Sequence, residues 1–173
     1  MGLSWAGVRR ALAATTLAAV FASPALAEDF SSGLREYLHG DHAVAARLWA
    51  PLAERGDARS QSALGYLYLN GFGVPKNIGE AVYWYKKAAA QGEPEAEAYL
   101  GSFYIAGNGL ARNLVEGLKW CELAVWHGAT RGMGCRSLAL QQMEVAQMRE
   151  GWSLFSRWVE EHPFAAWRGP PAE

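Results

Sequence analysis

An internal repeat with a period of 36 residues constrains this chain more than any other feature of its sequence. Residues 45–77 and residues 81–113 follow one pattern. The matched positions are Gly56 and Gly92, Leu64 and Leu100, Gly65 and Gly101, Tyr68 and Tyr104, and Asn77 and Asn113. A repeat of this length is typical of a solenoid, because no single unit can bury its apolar face without a stacked neighbour. The repeat therefore predicts a protein that works through a surface.

A third copy follows, and it is less regular. Trp120 and Gly128 stand 36 residues after Trp84 and Gly92, but Ser137 takes the place of an interior glycine. Terminal repeats commonly depart from the pattern because one of their sides faces water. We therefore expect the third repeat to lie at the end of the stack.

The first 27 residues have the layout of a secretory signal. Arg9-Arg10 precede the apolar run 11–22, and the small residues Ala25-Leu26-Ala27 provide a cleavage site after Ala27. The run is shorter than the ~20 residues that span a bilayer. We predict a cleavable signal peptide, a periplasmic or secreted location, and no integral membrane segment after its removal. The alternative is a buried N-terminal helix.

The charge of the remaining chain excludes several classes of partner. Without residues 1–27 the chain has 14 basic and 17 acidic residues, a formal net charge of −3. No run of lysine and arginine stands out, so we expect neither nucleic acid nor an anionic membrane surface as the partner. The remaining 146 residues are enough for one domain with a sizeable core.

The spacing of apolar residues predicts helices throughout. In the second repeat Ala81, Trp84, Tyr85, Ala88 and Ala89 keep the i, i+3, i+4 spacing of one helix face. The same spacing predicts helices near residues 30–39, 41–55, 58–70, 78–91, 94–106, 114–127 and 130–142, with a cap helix over 144–161.

These helices group into one domain over residues 28–162, followed by a flexible tail over residues 163–173. The repeats within the domain are predicted at about residues 41–77, 78–113 and 114–143. A glycine inside a helix costs ~1 kcal/mol relative to alanine. The two interior glycines at equivalent positions, Gly65 and Gly101, therefore indicate close packing between helices.

The segment from Ala81 to Gly109 reads A-x-x-W-Y-x-x-A-A-x-x-G…A-x-x-x-L-G-x-x-Y-x-x-G-x-G, and it resembles a Sel-one-like repeat, a relative of the tetratricopeptide repeat. The resemblance extends from about Asp41 to Met143. It implies an all-α, right-handed α-solenoid of stacked antiparallel helix hairpins that serves as a protein-binding scaffold or adaptor. Exported bacterial members of the family regulate sensor kinases, assemble envelope machinery or support exopolysaccharide production, so the resemblance implies a role of this kind.

Catalytic and cofactor-binding patterns are not recognisable. Gly71-Phe72-Gly73 and Gly107-Asn108-Gly109 follow helices and lack the Gly-Lys-Ser/Thr ending of a phosphate loop. Neither Ser-x-x-Lys nor Gly-x-Ser-x-Gly occurs. We expect no enzymatic activity and no cofactor. The alternative is an envelope hydrolase or cell-wall-binding protein of the cysteine-containing secreted type within the same family.

The histidines do not form a convincing metal site. His39 and His42 flank the Gly40-Asp41 turn, but no Cys or Glu cluster completes the four ligands of a structural zinc site. We expect a solvated turn and no metal. His127 immediately precedes Gly128, where its charge would offset the dipole of the helix that ends there.

Cys121 and Cys135 are the only cysteines. An even number in an oxidising compartment favours a disulfide. Each cysteine stands seven residues from Gly128, at the same height of an ungapped hairpin. Two buried thiols are the alternative, and a Cα separation above ~7 Å would exclude the bond.

The predicted partner-binding residues lie on the first helix of each hairpin, which lines the concave groove of tetratricopeptide-like superhelices. For a protein or peptide partner in that groove we predict Tyr83, Lys86, Lys87, Lys119 and Trp126. Trp126 replaces an alanine of the preceding repeat, and large aromatic residues dominate interface energetics. Two alternatives stay open: Trp126 packs under the cap helix, and the lysines form a solvated face. Stacking of copies through the exposed end of the array is a third possible role for the surface.

Overall fold

The computed structural model describes residues 24–162, and it consists there of eight helices with no strand. The helices are α1 (Pro24–His39), α2 (His42–Glu54), α3 (Ala58–Asn70), α4 (Ile78–Ala89), α5 (Pro94–Ala106), α6 (Leu114–Trp126), α7 (Thr130–Leu140) and α8 (Val145–Glu161). The predicted all-α solenoid is confirmed. Most helix ends lie within one or two residues of their predicted positions.

Two predicted segments lie wholly or mostly outside the described residues. Residues 1–23 carry most of the predicted signal peptide, and residues 163–173 are the predicted tail. The predicted cleavage site after Ala27 falls within the first turn of α1, a helix that begins six residues before its predicted start at residue 30. No helix within residues 24–162 is both long and apolar enough to cross a membrane.

The helix ends account for several of the repeated residues. Asn77 precedes α4 and Asn113 precedes α6, and each side chain accepts a hydrogen bond from the backbone N–H three residues later. Gly71 follows α3 with φ 75°, and Gly107 follows α5 with φ 70°. This left-handed conformation favours glycine, so these repeated residues begin and end helices.

The interior glycines permit close helix packing, as predicted. A Cβ atom added to Gly65 would lie 3.0 Å from the ring of Tyr85. A Cβ atom added to Gly101 would lie 2.7 Å from the Sγ atom of Cys121 and 2.8 Å from that of Cys135. Each glycine therefore allows the next helix of the stack to approach its backbone.

The core includes one large apolar cluster per repeat and a smaller cluster of alanines. The first includes Trp49, Leu52, Leu64 and Leu67, the second Tyr85, Leu100 and Phe103, and the third Ile105, Leu118, Cys121 and Met143. Trp84 departs from its predicted place on the inward face of α4. It is only partly buried and packs against the first cluster, whereas Val82 is buried in the second. The reason is that α4 contacts both α3 and α5 and therefore has two inward faces.

The packing of neighbouring helices defines the hairpins. α3 packs more extensively against α4 than against α2, and α5 more extensively against α6 than against α4. The tightest hairpins are therefore α3–α4 and α5–α6. The repeats predicted from the sequence instead paired α2 with α3 and α4 with α5. In addition, α5 contacts both α3 and α7, so the odd-numbered helices lie side by side.

The last helix caps the stack, as predicted, and it does so by packing against α6. Gly151 of α8 permits this approach, because a Cβ atom there would lie 2.8 Å from Leu118. Trp152 of α8 donates a hydrogen bond to the carboxylate of Glu122 at 2.8 Å. These contacts cover the side of α6 that carries Leu118 and Glu122.

Candidate functional site

A groove with a volume of about 420 Å³ crosses the odd-numbered helices α1, α3, α5 and α7. We call it the aromatic groove, after the six rings that line it: Phe30, Tyr37, Trp49, Tyr66, Tyr85 and Tyr99. Four charged residues line it as well: Arg59, Glu93, Glu95 and Arg131. The groove thus combines a large apolar surface with charges of both signs.

Tyrosines from three successive odd-numbered helices form a continuous row in this groove. The ring of Tyr66 lies edge-on to the rings of Tyr37 and Tyr99, with centroids 6.2 Å and 6.4 Å apart. Tyr99 in turn stacks on Tyr85 at 4.7 Å. Because Tyr85 is fully buried, the row is anchored in the core and its rings have fixed positions.

Burial perturbs the tyrosines of the groove. Desolvation raises the pKa of Tyr85 and of Tyr99 above the ordinary value, and the positive charge of Arg131 opposes the shift in both. The Tyr85 hydroxyl is buried and has no hydrogen-bond partner among the described residues. These phenols therefore stay protonated, and the partly exposed Tyr99 presents a neutral ring at the groove.

Three predicted partner-binding residues lie together on α4, outside the aromatic groove. Tyr83, Lys86 and Lys87 are exposed, and the Lys87 ammonium lies 4.7 Å from the centroid of the Tyr83 ring. The aromatic groove is lined mainly by odd-numbered helices, to which α2 adds Trp49 and α4 adds Tyr85. The partner-binding role of the three exposed α4 residues stays a prediction.

The other two predicted residues lie on α6 and are also outside the aromatic groove. Lys119 forms an ion pair with Glu116 at 2.6 Å, and its ammonium lies 4.5 Å from the centroid of the Trp120 ring. Trp126 is 43% exposed, and its ring lies edge-on to Phe155 of α8 at 6.0 Å. Trp126 thus contacts the cap helix, which was the alternative weighed for it, and keeps part of its surface in solvent.

A second cavity, of about 590 Å³, lies between α2, α3 and α4. Arg47 and Glu54, two further outward positions of α2, line it together with Trp84. Its wall is otherwise formed largely by small residues such as Ala43 and Ala46. This cavity offers fewer aromatic side chains than the aromatic groove.

The two cysteines are bonded in the structure. Cys121 of α6 and Cys135 of α7 have Cα atoms 5.6 Å apart, within the range of disulfides. Both are buried, and both lie against Gly101 of α5. The bond lies in the core at the junction of three helices, so it supports the fold rather than the groove.

A buried pair, Glu97 and His127, is a feature that the sequence reasoning missed. The His127 ring nitrogen Nδ1 lies 2.8 Å from a Glu97 carboxylate oxygen, so the imidazole pairs with this acid and not only with the end of α6. Burial raises the pKa of Glu97 to about 7, although His127 opposes the shift. One repeat earlier, Gln91 donates a hydrogen bond to Gln61 at 2.8 Å. The two pairs occupy positions 36 residues apart, which is the signal that could have found them.

The histidines near the first turn hold no metal-ligand set. His42 stacks on Phe72 at 5.0 Å and contacts Tyr37 at 4.8 Å, so it is a packed residue rather than a solvated one. Its Nδ1 atom is buried without a hydrogen-bond partner among the described residues. Within residues 24–162 no three His, Cys, Asp or Glu side chains cluster as metal ligands.

Comparison with solved structures identifies relatives of this solenoid. A Sel1 repeat protein from Oxalobacter formigenes is 32% identical, with a TM-score of 0.58 over 65% of this chain and 87% of that one. The protective antigen c5321 of uropathogenic Escherichia coli, which displays an SLR fold, has a TM-score of 0.74 at 24% identity. That match covers 86% of this chain and 34% of the antigen.

Comparison of sequences gives the same family. A segment of 44 residues is 48% identical to the chitin synthase regulator SKT5 of Malassezia restricta, which covers 25% of this chain and 3% of that protein. The Sel1 repeat family model matches residues 58–93 and 94–125, so its units begin at α3 and α5 and agree with the hairpins of the structure. The chain therefore belongs to the Sel1 repeat family, whose solenoids are scaffolds for protein–protein interaction.

Proposed function

We propose that this chain is an exported scaffold or adaptor protein of the cell envelope, and that it holds a protein partner in the aromatic groove. The observation that carries the proposal is the row of tyrosines, which presents aromatic rings at the surface of three adjacent helices. Tyr, Trp and Arg are the residue types that contribute most to protein interfaces. The aromatic groove brings tyrosines and arginines together, whereas the predicted residues on α4 and α6 are more dispersed.

The repeat itself supports a binding role for these tyrosines. Tyr66 corresponds to Ser102 in the next repeat, and Tyr99 corresponds to Ala63 in the preceding one. The fold therefore accepts a small residue at the same place on a neighbouring helix. A large ring at such a position is not required by the solenoid pattern, which favours a role in recognition.

The test uses these equivalent residues as substitutions. A Tyr66→Ser, Tyr99→Ala double variant should lose at least tenfold in the amount of partner captured from an envelope fraction, because it removes two rings from one interface. Lys86→Glu and Trp126→Ala serve as controls outside the groove and should capture the partner as the wild type does. If the controls lose the partner and the double variant keeps it, the groove assignment is wrong.

Export rests on the layout of residues 1–27 and is tested separately. Expression with these residues in a Gram-negative host should give a mature protein in the periplasm or the medium that begins at Glu28. A cytoplasmic protein that keeps its first residues would contradict this part of the proposal.

We also propose that the chain is not an enzyme, since scaffolds of this family are typically non-catalytic. Neither covalent labelling by a β-lactam probe nor turnover of peptidoglycan fragments is expected. Either result would favour the alternative of an envelope hydrolase or cell-wall-binding protein.

A further inference from the structure

The charges around the aromatic groove indicate what kind of segment fits it. This inference rests on the proposed function. We infer that the groove binds an extended segment of a partner protein that carries aromatic side chains and an acidic side chain on the same face. The aromatic side chains would lie against the tyrosine row, and an acidic side chain would pair with Arg59.

Three of the four charged groove residues occupy one position of the repeat. Arg59, Glu95 and Arg131 stand 36 residues apart, each the second residue of its helix, and their charges alternate. The Nε atom of Arg131 lies 3.3 Å from a carboxylate oxygen of Glu95. The same guanidinium lies 4.5 Å from the centroid of the Tyr99 ring. Arg131 and Glu95 thus neutralise each other within the protein.

Glu93, the remaining acid, is also used by the fold. Its carboxylate accepts a hydrogen bond from the backbone N–H of Ala96 at 2.7 Å and so caps α5. Burial raises the pKa of this carboxyl above its ordinary value, with the hydrogen bond from Ala96 opposing the shift. Neither acid of the groove is therefore free to attract a basic ligand strongly.

Among residues 30–162, whose side chains the structure describes, Arg59 has no acidic partner. No carboxylate of this part of the chain lies within ion-pair distance of it, and its guanidinium lies 4.7 Å from the centroid of the Phe30 ring. It lines both the aromatic groove and an adjoining cavity of about 230 Å³. A planar guanidinium held on an aromatic face is suited to pair with a carboxylate. The charge that a ligand must complement is therefore positive.

The spacing of the tyrosine row fits an extended chain. Successive ring centroids are 6.2 Å and 6.4 Å apart across α1, α3 and α5. Alternate side chains on one face of an extended peptide recur at ~6.6 Å, because each residue advances the chain by ~3.3 Å. Aromatic residues at every second position could thus lie against the tyrosine row, and an acidic residue one further step along the same face would point into the groove that Arg59 lines.

The test compares two fluorescein-labelled peptides by anisotropy with the purified chain. One is Gly-Glu-Ser-Phe-Ser-Phe-Ser-Glu-Gly, in which the glutamates and phenylalanines share one face, and in the other glutamine replaces both glutamates. We expect the acidic peptide to bind about tenfold more tightly, as for one charge-assisted hydrogen bond at a groove. Arg59→Ala should abolish this preference while leaving the affinity for the glutamine peptide within twofold, and Arg59→Lys should restore part of it. The matched control removes both members of the internal ion pair, Glu95→Gln and Arg131→Gln, and it should preserve the preference.

Several outcomes would overturn the inference. These are equal affinity for the two peptides, an equal loss of both in Arg59→Ala, or no binding of either to the wild type. Two other occupants of the groove would overturn the inference as well. A second copy of the chain would give a dimer that Arg59→Ala dissociates. The chain's own residues 163–173 would block the groove, so that the peptides bind only after this segment is deleted. Failure of this kind leaves the proposed function standing if the Tyr66→Ser, Tyr99→Ala variant still loses the envelope partner.

Discussion

At the scale of single residues, the positions where the copies differ are the informative ones. Glu97 and His127 form a titratable hydrogen-bonded pair where the preceding repeat has Gln61 and Gln91. The amide pair is a neutral solution to the same packing problem, so the buried carboxylate is not required by the fold. A titratable pair at this junction instead makes the stability of the solenoid depend on pH.

Burial raises the pKa of Glu97 from 4.5 to about 7, so the folded chain binds a proton more tightly than the unfolded chain. The stabilising contribution of this proton is fully present below the pKa of Glu97 in the unfolded chain. It is lost as the pH rises through the pKa of Glu97 in the folded chain. We therefore expect the wild type to lose stability on the order of 2 kcal/mol between about pH 4.5 and 8. A Glu97→Gln, His127→Gln variant, which copies the first-repeat pair, should lose less. Thermal unfolding across this range measures the difference, and parallel pH profiles would contradict the assignment.

Gly101 belongs to the same scale, because its missing side chain makes room for the disulfide. Gly101→Ala should destabilise the chain by about 1–3 kcal/mol, since its Cβ atom would lie under 3 Å from two sulfur atoms. Gly134→Ala in α7 is the matched control, because its added Cβ atom meets nothing within 4 Å. That variant should be neutral or slightly stabilising. Urea unfolding measures the free energy of unfolding of both variants. Equal values for the two variants would contradict the prediction.

At the scale of helices, the repeat predicted nearly every boundary but not the pairing. Helix boundaries depend on local hydrogen bonds and on backbone conformation, which single residues specify. Two helices start after Asn77 and Asn113, and two end before Gly71 and Gly107. Which neighbour a helix packs against more tightly depends on contacts between helices instead. A periodic sequence can be divided into hairpins in two ways, and the residues alone did not distinguish them.

The disulfide between α6 and α7 is the prediction that belongs to this scale. A bond across the 14 residues that separate the cysteines should contribute about 3 kcal/mol, mainly by restricting the unfolded chain. We expect the exported protein to resist alkylation until reductant is added, and its unfolding midpoint to fall after reduction. Alkylation of both cysteines without reductant, measured by mass, would show that the protein carries free thiols.

At the scale of the whole molecule, the solenoid follows from the sequence and the groove does not. The groove arises where Tyr37, Tyr66 and Tyr99 of three helices meet, and no local pattern joins residues so far apart in the chain. One signal was nevertheless available: Tyr66 and Tyr99 lie at positions where the two regular copies disagree. In the sequence the disagreement between copies stands out above all in the third repeat, at Trp126, Cys121 and Cys135, and the tyrosines were therefore not predicted.

Site-specific photo-cross-linking tests the groove assignment most directly. A benzophenone amino acid at Ala63, which lines the aromatic groove, should cross-link the envelope partner, whereas the same probe at the exposed position of Lys86 should not. As a control for folding, both variants must have unfolding temperatures near that of the wild type. The account predicts an adduct from position 63 that disappears in the Tyr66→Ser, Tyr99→Ala background. An adduct from position 86 with none from position 63 would contradict it.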